Sequence, residues 1–197
     1  MNDRRVVHPL PTKVPLKLGG ATFPVLHRVR RFIWYVVWAC LGKWSPRPMF
    51  GWRRLLVTLF GGKIAQTARI YNNVDIWDHA NLEMAAFACL GPGVNAYTMA
   101  KITLAPRALV SQGAHLCCGT HDVDVPEFPL VTSPITLMED CWIAAETFVG
   151  PGVTVGPGAV LGARAVTFLD LAPWTIYAGN PATPKRKRKI APSDSDN

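Results

Sequence analysis

The chain is 197 residues long, 49% hydrophobic and +8 in formal net charge. That length suits one domain, and that apolar content is enough for a core and argues against disorder. The positive charge sits mostly towards the ends, in Arg4, Arg5, Arg28, Arg30, Arg31, Arg53 and Arg54 and in the run Lys185-Arg186-Lys187-Arg188-Lys189; no stacking or groove-reading motif accompanies it, so small-molecule phosphates or an anionic membrane face suit it better than nucleic acid.

The opening MNDRRVVHPLPTKVP has no apolar run, so no secretory leader is expected. Residues 1–24, rich in proline and basic side chains, are expected to lie extended over the surface. Residues 25–43 read as a helix whose apolar run from Phe32 to Leu41 is too short to span a bilayer. With Trp34, Tyr35 and Trp38 beside Arg28, Arg30 and Arg31, it suits a membrane interface or, the preferred reading, a cap over the open end of a repeat structure. A second amphipathic piece, 51–60, carries Leu55, Leu56, Leu59 and Phe60 and is stopped by Gly61-Gly62. Residues 1–62 thus form a basic extension with helices.

From there the hydrophobic residues keep a six-residue beat. It runs through Ile64, Ile70, Ile76, Leu82, Ala88 and Val94, resumes at Leu104, Val110 and Leu116, and again at Leu137, Ile143, Val149, Val155 and Leu161. Small residues follow four places later, among them Ala68, Val74, Ala80, Ala86, Ala108, Ala114, Thr120, Ala159 and Ala165. No helix keeps a period of six, and a flat strand keeps a period of two. A coil with three flat sides of six residues does, which predicts an all-β parallel β-helix over 63–184. The phase slips between Val94 and Leu104, and residues 121–134 (HDVDVPEFPLVTSP) lose the beat as an extruded loop, where a rigid scaffold usually carries its site. Residues 173–182 read as a strand and turn, and 185–197 as a basic then acidic tail. The five cysteines are odd in number and lack metal-ligand spacing, which fits a reduced cytosolic setting and no metal.

Four stretches, SQGAHLCCGTHD (111–122), FPLVTSPITL followed by CWIA (128–144), VGPGVTVGPGAVLGARAV (149–166) and PWTIYAGNPA (173–182), give the chain a resemblance to a known family. It resembles the hexapeptide-repeat, left-handed β-helix acyltransferases, and within them the colanic-acid-type O-acetyltransferases of exopolysaccharide synthesis. The resemblance implies a cytoplasmic homotrimer of parallel prisms that binds acetyl-coenzyme A in clefts between neighbours. It acetylates a hydroxyl of a sugar or lipid-linked saccharide, with possible peripheral membrane contact. His121 matches the family's catalytic histidine. Trp142 is implied to line the cleft beside the pantetheine arm, Ala144, Ala145, Gly162 and Ala163 to let the cofactor approach, and Arg164, Lys185 and Arg186 to meet its phosphates. Asn95, Tyr97 and Gln112 are acceptor candidates near the phase slip. Many relatives carry Thr-Lys-Asp near the prism's end; here Thr167-Phe168-Leu169-Asp170 lacks that lysine.

Acyl transfer from a thioester to a hydroxyl needs a base for the hydroxyl proton and donors for the oxyanion. Free imidazole titrates at about 6.5, close to working pH. Of the five histidines, His8 and His27 lie outside the coil, His79 is expected at the surface, and His115 is expected to pack. His121 alone stands at the loop mouth. Asp122 either orients that imidazole, binds substrate or caps the loop. Cys117 and Cys118 allow a rival thiolate mechanism. Other readings are a serine or amino-sugar acetyltransferase of the same fold, or a non-catalytic or zinc-binding prism like the γ-carbonic anhydrases, for which His115 and His121 lack an evident third ligand.

Overall fold

The computed structural model describes residues 8–9 and 23–190. The arm expected over 1–24 and the SDSDN tail fall almost wholly outside them. The six-residue beat builds a three-sided parallel coil. Face 1 stacks Lys63–Ile64, Leu82–Met84, Ile102–Leu104, Ile135–Leu137 and Thr154–Val155. Face 2 stacks Arg69–Ile70, Cys89–Leu90, Leu109–Val110, Trp142–Ile143, Val160–Leu161 and Thr175–Ala178, and Thr183–Lys187 closes it as an antiparallel edge. Face 3 stacks Asp75–Ile76, Asn95–Tyr97, His115–Cys117, Phe148–Val149 and Val166–Thr167. Each strand turns alternate side chains inward. On face 2 the inward column Ile70, Leu90, Val110, Ile143 and Leu161 is wholly buried.

The register corrects the sequence reading in one respect. Ile64 lies beside Met84, Met84 beside Leu104, Leu104 beside Leu137 and Leu137 beside Val155. The inward beat of the second coil is therefore Met84, Leu90 and Ala96, not Leu82, Ala88 and Val94. The chain slips by two residues after Ile76 and by two again after Ala96, rather than once between Val94 and Leu104. Leu82, Ala88 and Val94 are buried all the same, because a slip of two leaves every inward side chain pointing inward. Ala80, Ala86 and Thr120 are not corner fillers; Ala80 and Thr120 are exposed. All the extra residues leave at one corner, between faces 3 and 1. They are a short helix His79–Asn81 in the first coil, residues 98–101 in the second and the long loop in the third. The fourth coil turns that corner in the basic six-residue step from Val149 to Val155, without added residues.

In such a coil each turn's amides donate to the next turn's carbonyls, so the first turn's own carbonyls lack donors. Two helices supply them. In α1 (Val25–Val37) and the π turn that continues it (Trp38–Gly42), Arg31 donates to the Trp77 carbonyl (3.1 Å), Trp34 Nε1 to Ile76 (3.0 Å) and Trp38 Nε1 to Val74 (2.8 Å). In α2 (Phe50–Leu59), Arg53 Nε donates to Ile70 (2.6 Å) and Arg54 to Ala68 (3.1 Å). Wholly buried Arg53 also donates to Ser45 Oγ and to the carbonyls of Pro46 and Arg47.

His79, expected at the surface, is fully buried at this junction. Its ring lies 4.6 Å from Trp34 and 5.0 Å from Phe60, and neither nitrogen has a hydrogen-bond partner. Burial pushes its pKa down to about 4.

Candidate active site

The extruded loop is held at its base by two antiparallel strands, Gly119–His121 and Leu130–Thr132, with His121 beside Leu130. The backbone of His8–Pro9 adds a third strand on the outer side of Leu130–Thr132. The loop is closed from within: Asp122 N–H donates to Pro129 (3.0 Å), Phe128 N–H to Val125 (2.9 Å) and Asp124 N–H to Asp122 Oδ1 (3.1 Å). That last bond is an Asx turn, the local geometry aspartate favours.

Phe128 is held at φ +53°, in the left-handed region. Its ring stacks on the His121 ring (4.9 Å, 15°), and its carbonyl oxygen lies 3.0 Å from His121 Nδ1. A carbonyl only accepts, so Nδ1 carries the proton and Nε2 keeps its lone pair. A half-buried imidazole fixed in one tautomer, with its second nitrogen left basic, suits a general base. The orienting group is thus a backbone carbonyl, while Asp122 closes the turn. Sequence reasoning missed this partner because a carbonyl has no letter of its own.

The other candidates fall in two places. Asn95 and Tyr97 are on face 3, in line with His115 and Cys117. The aromatic side chains there form a continuous row: Trp77–Tyr97 at 5.8 Å, Tyr97–His115 at 6.3 Å and His115–Phe148 at 5.1 Å. His115 packs within it, its Nε2 buried without a partner and its pKa lowered by burial.

At the corner between faces 2 and 3 the coils stack Gln112, then Ala144 and Ala145, then Gly162, Ala163 and Arg164. The Gln112 carbonyl accepts from Glu146 N–H (3.0 Å), and the Ala145 carbonyl from Arg164 N–H (2.9 Å). Trp142 stands on face 2 just before this corner, half exposed, with Nε1 donating to Ser111 Oγ (2.9 Å). Arg164 is paired at the surface with Glu146 (2.6 Å). Gly162 has a packing reason to be glycine, since a Cβ there would lie 3.1 Å from the Tyr177 carbonyl of the next coil. Lys185 and Arg186 are exposed on the closing strand of face 2; Lys185 Nζ donates to Thr183 Oγ1 (2.9 Å) and Arg186 to the Lys187 carbonyl (3.1 Å). The chain therefore gathers Ala144, Ala145, Gly162, Ala163 and Arg164 at the corner between faces 2 and 3, with Trp142, Lys185 and Arg186 on face 2, and holds His121 beyond the other edge of face 3.

The thiols are poorly placed for chemistry. Cys118 is wholly buried and its pKa is pushed up to about 12 by that burial. Burial also raises Cys117, whose Sγ donates to the Gly119 carbonyl (3.2 Å). Among the described residues no group of three or more His, Cys, Asp or Glu side chains is placed to hold a metal ion.

No family model matches the chain. It is 38% identical over 156 residues to an Escherichia coli (strain K12) protein described as the putative colanic acid biosynthesis acetyltransferase WcaF, covering 79% of this chain and 86% of that one. Among solved structures, a maltose O-acetyltransferase from Clostridium difficile 630 superimposes with a TM-score of 0.73 at 19% identity, over 85% of this chain and 90% of that one. A hexapeptide-repeat-containing acetyltransferase from Vibrio cholerae O1 biovar eltor, solved with acetyl coenzyme A, gives 0.74 at 19% identity, over 87% and 93%. At that identity the two structures speak for the fold, whereas the Escherichia coli relative shares residues along most of both chains, and it is on that ground that this protein belongs to the WcaF family of hexapeptide-repeat acetyltransferases.

Proposed function

We propose that this protein transfers an acetyl group from acetyl-coenzyme A to a sugar hydroxyl of an exopolysaccharide intermediate, in the cytoplasm or at the inner face of the cytoplasmic membrane, with His121 as general base. The observation that carries the reading is the Phe128 carbonyl on His121 Nδ1, which leaves Nε2 as the basic nitrogen. Nε2 takes the acceptor's hydroxyl proton as the oxygen attacks the thioester carbonyl. Backbone N–H groups along the cleft hold the tetrahedral oxyanion. Its collapse breaks the C–S bond, and the coenzyme A thiolate recovers the proton from the imidazolium. Transfer is direct, in keeping with the buried, high-pKa thiol of Cys118.

The small side chains of Ala144, Ala145 and Ala163 keep one corner low, and the half-exposed ring of Trp142 offers an apolar wall for a pantetheine arm. Exposed Lys185 and Arg186 offer charge to phosphates. The low corner of Ala144, Ala145 and Ala163 and the His121 loop lie at opposite edges of face 3, which supports a homotrimer in which one copy's loop reaches the corner of its neighbour. Asn95, Tyr97 and Gln112 lie between or beside these edges and are the residues proposed to meet the acceptor.

Release of free thiol from acetyl-coenzyme A, measured with soluble sugars, nucleotide sugars and lipid-linked saccharides, tests this. Acceptor-dependent release lost in His121→Ala supports the reading. Release that persists in the variant removes His121 from the mechanism.

A further inference from the structure

Helix α1 is built inside out. Its charged and polar side chains face the prism: His27 Nε2 (2.9 Å) and Arg30 (2.7 Å) meet the Asp78 carboxylate, and Arg31 lies over the Trp77 ring. Trp34 and Val37 also pack inward, but most of its other apolar side chains face away. Val25, Val29, Phe32 and Val36 recur at helical spacing on the outer side, with Leu26 and Ile33 beside them. Leu26 is 81% exposed, Phe32 68%, and Val29 and Ile33 48% each. The stripe continues past the helix into exposed Leu41 and Trp44, the latter 82% exposed. A helix facing water carries the reverse pattern.

Among the described residues the exposed charge near this stripe is mainly basic, with Asp75 the carboxylate beside Tyr35 and Lys43. From Arg4 to Val74 the sequence contains thirteen Lys and Arg residues and not one Asp or Glu. Arg28, Lys43 and Arg47 are exposed beside the apolar face.

We propose that the outer face of α1 docks this protein on an anionic lipid surface. The apolar side chains enter the interface, Tyr35 and Trp44 sit at headgroup level, and Arg28 and Lys43 meet lipid phosphates. A helix of 13 residues is about 20 Å long and lies in the plane of the interface; no helix among the described residues is long and apolar enough to cross a membrane. Charge argues against a second copy as the occupant, because two such faces would bring together surfaces on which the exposed cations Arg28, Lys43 and Arg47 outnumber the exposed carboxylate of Asp75.

Docking also orients the loop. Asp78, to which α1 is tied, lies at the corner between faces 3 and 1 in the first coil. The His121 loop leaves the same corner two coils further on, about 10 Å along the axis at ~4.8 Å per strand. Resting on the acetyltransferase reading, this favours an acceptor saccharide carried on a lipid.

Flotation of the full chain with phosphatidylcholine vesicles, with and without phosphatidylglycerol, at low and high salt, tests the docking. The expected result is flotation with the anionic vesicles at low salt, falling roughly tenfold at high salt or without phosphatidylglycerol. Val29→Glu combined with Phe32→Glu alters only exposed outer side chains, and it is expected to lose flotation while keeping its thermal transition and its turnover on a soluble acceptor. Wild-type protein that stays with the soluble fraction under every condition overturns the proposal, as does a folded double variant that floats as well as wild type. A double variant that changes oligomeric size while wild type ignores vesicles assigns the face to a second copy and also overturns it. Turnover that is absent while flotation persists counts against the acetyltransferase reading alone.

Discussion

The first three coils and the last two follow one plan and differ at one corner. In the last two, the chain turns every corner in few residues and its glycines are fixed by the coil above: a Cβ on Gly156 would lie 2.7 Å from the Leu171 carbonyl and 2.8 Å from Pro173 N. In the first three, the corner between faces 3 and 1 is loosened by two residues, by two again, and then by a whole loop. The tight coils supply rigidity. The loosened ones hold the junction with α1, the aromatic row of face 3 and the candidate base. A regular solenoid thus has room for a candidate site where its repeat is relaxed, and the relaxation is confined to one edge so that stacking survives on the other two.

The sharpest way to break this comparison is at the loop. His121→Ala is expected to lower acceptor-dependent turnover roughly 10³-fold with little change in unfolding temperature; steady-state thiol release and a thermal melt read both. Turnover within a few-fold of wild type would leave the loosened corner without its catalytic role. Next comes the capped end. Arg53→Met removes a buried donor to four acceptors, and a loss of about 3–5 kcal/mol is expected in denaturant unfolding.

The acid limb of stability is expected to come largely from His79. Its folded pKa of about 4 lies below the usual value near 6.5, so between those pH values the unfolded chain binds a proton the folded chain refuses. Stability is therefore full above about pH 6.5 and lost as pH falls towards 4, by roughly 3 kcal/mol in total. His79→Leu should flatten that slope; an unchanged slope would remove His79 as its source.

A smaller effect separates the two kinds of coil directly. Gly156→Ala presses on backbone and should cost about 2 kcal/mol. Gly119→Ala, in the loosened third coil, meets the flexible tip of Met99 at 2.5 Å and should cost under about 1 kcal/mol. Equal losses would show that the loosened corner is packed as stiffly as the tight ones.

Much of the fold was legible because a six-residue period belongs to no helix or flat strand. From Leu104 onward the inward positions are those the beat predicts. The slip after Ile76 was hidden because strands repeat every two residues, so moving by two kept Leu82, Ala88 and Val94 buried. His79 was misread because what buries it, Trp34, comes from 45 residues away in sequence, and no local pattern carries that contact. The loop and His121 could be singled out by loss of the beat and by family resemblance. The Phe128 carbonyl that orients the imidazole could not, nor could the close approach of the Tyr177 carbonyl to Gly162.

The capped end has a further consequence for how the chain comes into being. The indole of Trp34 reaches a carbonyl made 42 residues later, and that of Trp38 one made 36 residues later. During synthesis the helical segment therefore leaves the ribosome before the edge it will cover exists, with no acidic residue from Arg4 to Val74. The edge carbonyls of the first coil are thus met by donors that were made before them.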